Sequence, residues 1–258
     1  MIATAIAAKF LPLFLVAAGL LGLVAGSFIA TLVIRWPRGE ALSGRSRCDQ
    51  CHARLAIRDL VPVVSWARLR GRCRHCGAPI DWRHPAIELS AALLAIVMLA
   101  AAPGPEGLAG IAFAWFLLAM AALDAEHYWL PDRLTLPFLG AGLLLGFGAL
   151  PERLLGALAG AVMFLLLRYA FQRLTGREGL GLGDVKLIAG LGAWLSWSSL
   201  PPLILLASLI GLGAAMLSLS RSRRTGSATL ALAAPVPFGA CLAIAALPIW
   251  LLQAAGPA

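Results

Sequence analysis

An all-α polytopic membrane protein is the fold this sequence predicts, with about eight transmembrane helices and a small cytoplasmic zinc-binding domain of four cysteines between the first and second of them. Three observations predict it. Hydrophobic residues make up 60% of the 258 and charged residues only 13%, a balance that no soluble domain of this length needs. The apolar residues fall into uncharged runs near the roughly 20 residues that a bilayer crossing requires. Four of the five cysteines form two C-x-x-C pairs inside the one strongly polar stretch.

Each span follows from its run. Phe10 to Ile34, Leu89 to Pro105, Gly107 to Leu123 and Leu134 to Pro151 carry no charge. Leu154 to Leu174 is interrupted only by Arg168 and Arg173, whose long stems let the guanidinium groups snorkel to an interface. Leu187 to Ser220 is too long for one span, and Pro201-Pro202 divides it in two. A last run extends from Pro235 to Leu252. The first run is longer than the core of a signal peptide and a basic cluster follows it, so it reads as a retained helix.

The net charge of +9 is unevenly placed: eleven arginines lie between Arg35 and Arg83, against Glu40, Asp49, Asp59 and Asp81. A basic segment beside a membrane helix reads as positive-inside topology and contact with the lipid bilayer through anionic headgroups. No nucleic-acid-binding motif accompanies the charge, so nucleic acid is not expected as a partner. With this segment in the cytoplasm and the N-terminus periplasmic, the loops around Asp124–Arg133, Gln172–Lys186 and Arg221–Arg224 fall inside. They hold most of the remaining Lys and Arg, seven of ten. Three domains follow: a first helix over 1–34, a zinc-binding domain over 35–85, and a membrane-embedded domain over 86–258.

Cys48, Cys51, Cys73 and Cys76 are the predicted metal ligands. The 21 residues between Cys51 and Cys73 are near the spacing of four-thiolate zinc sites. Four thiolates close a tetrahedral shell and leave no position for substrate, so the site reads as structural. A redox pair or disulfides are the alternatives, and a cytoplasmic location disfavours disulfides. The surrounding segment reads as short strands and turns. His52 and His75 read as bystanders, and Cys241 as a small buried hydrophobe.

Asp124 and Asp184 are the predicted catalytic pair. Ionisable groups at the edges of apolar runs are costly and mark function by default. Two carboxylates that share a proton divide the work of peptide hydrolysis, one activating water and the other donating to the carbonyl oxygen. Gly181 and Gly183, just before Asp184, read as an open wall along which an extended substrate approaches. The bland alternative is a glycine-rich loop with Asp184 capping a helix. Asp132 reads as the N-cap of the fourth span, Lys186 as a headgroup anchor, and Glu126 as facing the headgroups. Glu88 reads either as the partner of an arginine or as a functional group.

At this point the chain resembles the bacterial prepilin peptidases, over almost its whole length. Gly26-Ser27-Phe28 with Arg35-Trp36-Pro37, then Ser46-Arg47-Cys48 to Cys51, Arg70-Gly71-Arg72-Cys73, Cys76-Gly77-Ala78-Pro79 and Glu88-Leu89 resemble the family's opening and zinc segments. Leu123-Asp124, Leu130-Pro131-Asp132-Arg133 and Gly176 through Leu187 match its two aspartate motifs, and Pro235-Val236-Pro237-Phe238-Gly239 a late one. The resemblance implies a membrane aspartic endopeptidase of the G-x-G-D type with Asp124 and Asp184 as its catalytic pair. Such enzymes remove the basic leader from type IV prepilins or pseudopilins at the cytoplasmic face. It also implies N-methylation of the new N-terminus with S-adenosylmethionine as methyl donor. No Rossmann-type G-x-G-x-x-G follows a strand, so no residue is assigned to that donor. Ala30 departs from the pattern, where the family often has Asn.

Two other classes compete. A transporter or proton relay also uses intramembrane carboxylates, but the halves show no inverted repeat. An assembly subunit that binds without catalysis is separated from an enzyme by substitution of either aspartate.

Overall fold

In a computed structural model of the protein, residues 2–42, 44–177, 179–224 and 236–256 are described. Glu178 and Pro235, each part of a motif above, lie outside them. The described helices are α1 (Ile2–Arg35), α2 (Val64–Arg68), α3 (Arg83–Ala101), α4 (Pro105–His127), α5 (Asp132–Leu145), α6 (Leu150–Thr175), α7 (Leu182–Leu195), α8 (Leu200–Arg224) and α9 (Phe238–Ala255). The described residues contain no sheet. Two isolated bridges, Arg47 with Arg54 and Arg72 with Pro79, are their extended pairings.

Every predicted apolar run is a helix, but the count of eight spans is not reached. Among the described residues, six helices (α1, α3, α4, α6, α8 and α9) are long and apolar enough to cross a membrane. Helices α5 and α7 have 14 residues each, about 21 Å at 1.5 Å per residue, against a hydrocarbon core of about 30 Å. Composition did not reveal where they stop. The run that forms α5 ends where Gly146 leaves the helical region and Gly148 turns at φ +76°. The run that forms α7 ends at Ser196, at φ +68°.

The chain divides into two compact units, Met1–Ala119 and Met120–Ala258. In the first, α1 packs on α3 through glycines. A β-carbon at Gly22 would lie 2.5 Å from Ala92 Cα, and one at Gly26 would lie 2.6 Å from Glu88 Cα. Without a hydrophobic drive between helices in lipid, such small-residue approaches supply the packing. Trp115 Nε1 donates to the carbonyl of Ala91 at 3.0 Å. The cysteine segment contains a 3-10 turn at Ile57–Asp59 and the single helical turn α2, where short strands were expected.

In the second unit α7 is the most buried helix, with every residue from Leu187 to Leu195 inaccessible. Helix α6 runs antiparallel to it. A β-carbon at Gly156 would fall 2.2 Å from the Gly192 carbonyl oxygen, and one at Gly160 would fall 2.8 Å from that of Ile188. Helix α5 lies parallel to α7: Lys186 Nζ pairs with Asp132 at the start. Further along, Phe138 stacks on Trp194, whose Nε1 donates to the Phe138 carbonyl at 2.9 Å. Both short helices end with side chains on their last carbonyls. Arg153 donates to Leu143 and Leu144, and Gln253 Nε2 donates to the Leu195 carbonyl and to Ser199 Oγ. A helix that stops in an apolar layer needs such partners, because no water is there to supply them.

Candidate active site and metal centre

Asp124 sits in the last turn of α4 and is 5% exposed. The backbone N–H of Ala240, in the first turn of α9, donates to its Oδ2 at 2.8 Å, and the Gly239 N–H bonds to the same carboxyl. Those amides have no partner inside their own helix, so a carboxylate completes them. Gly239 makes the approach possible: a β-carbon there would lie 3.0 Å from an Asp124 carboxyl oxygen and 2.8 Å from Leu130 Cδ1. Leu130 is buried between the two chain segments. A β-carbon on Gly183 would also strike it, 2.8 Å from its Cβ.

Asp184 stands in the first turn of α7, half-buried. Its Oδ2 accepts from the Gly181 N–H at 3.3 Å, so it does cap its helix, as the bland reading had it. It also lies within electrostatic reach of Asp124. The two residues, 60 positions apart in the chain, thus stand on segments that meet at Leu130: Asp124 through Gly239 at the start of α9, and Asp184 through its neighbour Gly183 at the start of α7. Helix α5 begins beside them, tied to α7 by the Asp132–Lys186 pair. Three helix starts at one place favour negative charge there.

The neighbouring residues make contacts that residue type alone does not specify. Pro131, not Asp132, is the N-cap of α5, and no side chain caps it. Asp132 and Lys186 are instead partners of each other. Glu126 faces His127, 3.7 Å away. Gly181 is exposed and extended (φ −72°, ψ 148°), and Gly183 is helical, so neither uses a glycine-only backbone angle. The missing side chain of Gly183 admits the protein's own Leu130. Arg168, expected to snorkel, donates to the Leu180 carbonyl and so braces the glycine loop from α6. Arg173 lies 4.8 Å over the Tyr169 ring. Leu130, Arg168, Gly239 and Ala240 carry no chemical signature in the sequence. Only the Pro-Phe-Gly motif hinted at the last two.

The four cysteines form a second constellation. Their sulfurs all lie within 4.8 Å of one another, and Cys48 and Cys76 are 3.8 Å apart. Sulfurs about 3.8 Å apart are what a tetrahedral ion with 2.3 Å metal–sulfur bonds requires. The two knuckles repeat each other. Cys48 N donates to Ala53 O and His52 N to Cys48 O; Cys73 N donates to Ala78 O and Gly77 N to Cys73 O. The residues that turn each knuckle, His52 (φ +56°) and Gly77 (φ +71°), are both left-handed. The backbone N–H groups of Cys76 and His75 hold the Cys73 thiol down to about 6. A thiol ready to ionise suits a metal ligand. These residues can hold a metal ion.

The four acids of this segment do not form a negative face. Arg38 pairs with Asp49 and Glu40, Arg74 with Asp59, and Arg83 with Asp81. The Arg74 guanidinium keeps the Asp59 carboxyl below the usual carboxylate range. Glu88 pairs with no arginine among the described residues. It is 5% exposed and accepts from the Val63 N–H at 2.7 Å and from the Ser27 side chain.

A polytopic helical membrane protein with a four-cysteine insert and two acids, Asp124 and Asp184, within electrostatic reach of each other is therefore what the chain forms. Comparison with known proteins places it further. The bacterial peptidase A24 N-terminal domain matches residues 20–102, and the type IV leader peptidase family matches residues 111–216. A prepilin leader peptidase/N-methyltransferase of Dickeya chrysanthemi is 40% identical, over 93% of this chain and 93% of its own. One of Aeromonas hydrophila is 43% identical over 78% of this chain and 69% of its own. One of Burkholderia pseudomallei is 39% identical over 86% and 80%. No solved structure matches. The chain belongs to the type IV leader peptidase family.

Proposed function

We propose that the protein is a membrane aspartic endopeptidase that removes the basic leader from type IV prepilins or type II secretion pseudopilins. The reading places the cut at the cytoplasmic face of the bacterial inner membrane and the protease domain over 86–258. The convergence of Asp124 and Asp184 supports it above all. In this mechanism one carboxylate takes a proton from water, and the other, protonated, donates to the scissile carbonyl oxygen. The pair titrates as a unit. The Gly239 and Ala240 amides hold Asp124 in place for this, and Gly181 leaves the approach to Asp184 open. The excess of arginine over 35–83 supports a cytoplasmic position for that segment and a periplasmic N-terminus.

Zinc is the metal that four thiolates at these distances suit best, bound as a structural ion over 35–85. N-methylation of the new N-terminus with S-adenosylmethionine rests on the names of the relatives. The described residues include no strand-and-glycine turn of the dinucleotide type, and no residue is assigned to that donor.

One experiment tests the reading. Purified protein is mixed with a candidate prepilin, with and without S-adenosylmethionine, and the product is weighed by mass spectrometry. The wild type trims the leader and adds one methyl group when the donor is present. Asp124→Asn and Asp184→Asn each abolish trimming. Normal trimming by either variant would remove the dyad from the mechanism. The same preparation carries close to one zinc per chain, and a metal-free reduced preparation would argue against that ion.

A further inference from the structure

We propose that the turn Ile57–Val64 of the cysteine segment dips below the lipid headgroups and packs its apolar side chains against phospholipid acyl chains. The proposal is independent of the peptidase reading and rests only on α3 being a membrane span.

The turn is the apolar part of a segment otherwise rich in arginine. Ile57 is 88% exposed, Leu60 41%, Val61 44% and Val64 54%. Clustered exposure of this kind marks an interaction surface. Its depth is fixed by one hydrogen bond. Glu88 lies five residues into α3, and its carboxylate accepts the Val63 N–H at 2.7 Å. Helix α3 has 19 residues, about 28 Å against a core of about 30 Å, so it has almost no length to spare outside the bilayer. Glu88 is then about 7 Å below the start of that helix, and Val63 is held at the same level. Val63 adopts φ +60°, a poor region for a β-branched residue. The backbone accepts that conformation to make the bond.

Four of the turn's amides are bonded within the protein. Asp59 N donates to Ala56 O at 2.8 Å, Leu60 N to Ile57 O at 3.0 Å and Ser65 N to Val61 O at 3.0 Å. Val64 N reaches Pro62 O, Val63 N reaches Glu88, and Pro62 has no N–H to satisfy. Each amide bonded in this way costs less to bring towards an apolar layer. Its flanks suit the headgroups. Arg68 and Arg70, which follow the turn, make no ion pair among the described residues. Trp82, 69% exposed, precedes α3 at the level where tryptophan favours the interface.

The test uses the full chain in vesicles of phosphatidylethanolamine and phosphatidylglycerol. A benzoylphenylalanine photo-crosslinker replaces Val61 in one preparation and the exposed Arg54 in another. After irradiation the Val61 peptide gains the mass of one phospholipid and the Arg54 peptide gains none. Equal labelling at both positions overturns the proposal, as does a Val61 crosslink to a second copy of the chain or to added prepilin in place of lipid. The Ile57 position repeats the measurement where almost nothing packs on the side chain, so a failure of the Val61 variant to fold leaves the outcome decided.

Discussion

His52 and Gly77 occupy the same place in the two cysteine knuckles, yet only one of them is a glycine. Both close their turns in the left-handed region, where a residue with a β-carbon is disfavoured by roughly 1 kcal/mol. His52→Gly removes that strain and is expected to raise the stability of the cysteine segment by up to about 1 kcal/mol. Thermal unfolding of the full chain checks it. A fall in stability would mean that the imidazole has a role its bystander reading omits. Asp59, in the same segment, has a pH dependence of known sign. Asp59 is held low by Arg74, so its contribution is complete above the unfolded value near 3.9 and is lost as pH falls through the lower folded value. The sequence singled out the candidate site residues by type. Two C-x-x-C pairs and two aspartates beside apolar runs are costly patterns; the four sulfurs lie within 4.8 Å of one another, and Asp124 acts electrostatically on Asp184. The sequence did not expose what holds them. Leu130, Arg168 and Ala240 act through a surface of packing or a backbone atom, and neither leaves a mark in residue type. Glu88 stands out in the sequence as an acid beside an apolar run, but its partners are a backbone N–H and Ser27, not an arginine.

Helices α5 and α7 show where periodicity and composition stop being informative. An uncharged run announces a helix in lipid, but a helix can end inside such a run if its last carbonyls find partners. Arg153 and Gln253 are those partners, from α6 and α9. Neither could be paired with its helix from sequence, because the pattern of residue types does not say which carbonyl a distant donor will reach. Gln253→Leu is expected to leave the Leu195 carbonyl and Ser199 Oγ without that donor, at a cost of about 1–3 kcal/mol. A detergent-denaturation midpoint shifted by that amount, with Gln253→Glu recovering little, would separate the lost donor from lost volume. An unchanged midpoint in the leucine variant would show that water already reaches the α7 terminus. The glycines on α6 and α7 are a second element-level device. Gly156 and Gly192 bring two backbones into contact, a pairing that residue type does not announce.

At the scale of the molecule, the predicted class, the order of helices and the position of the cysteine insert all match the structure. The number of full-length spans does not. The difference bears on the candidate active site, because Asp184 rides on one of the two short helices. A 14-residue helix covers only about two-thirds of an average hydrocarbon core. Lipid tails beside such a helix must shorten, splay or be drawn inward, and the cost grows with each ångström of mismatch. Reconstitution into a series of acyl-chain lengths should therefore sort the preparations: leader removal runs faster in short-chain bilayers and slows steadily as the chains lengthen. A rate indifferent to thickness would mean that neighbouring helices shield both short ones from the tails. If the trend holds, the bilayer itself is a tuning element for this protein, and the thickness of the surrounding membrane sets how readily a substrate's stretched segment reaches the carboxylates.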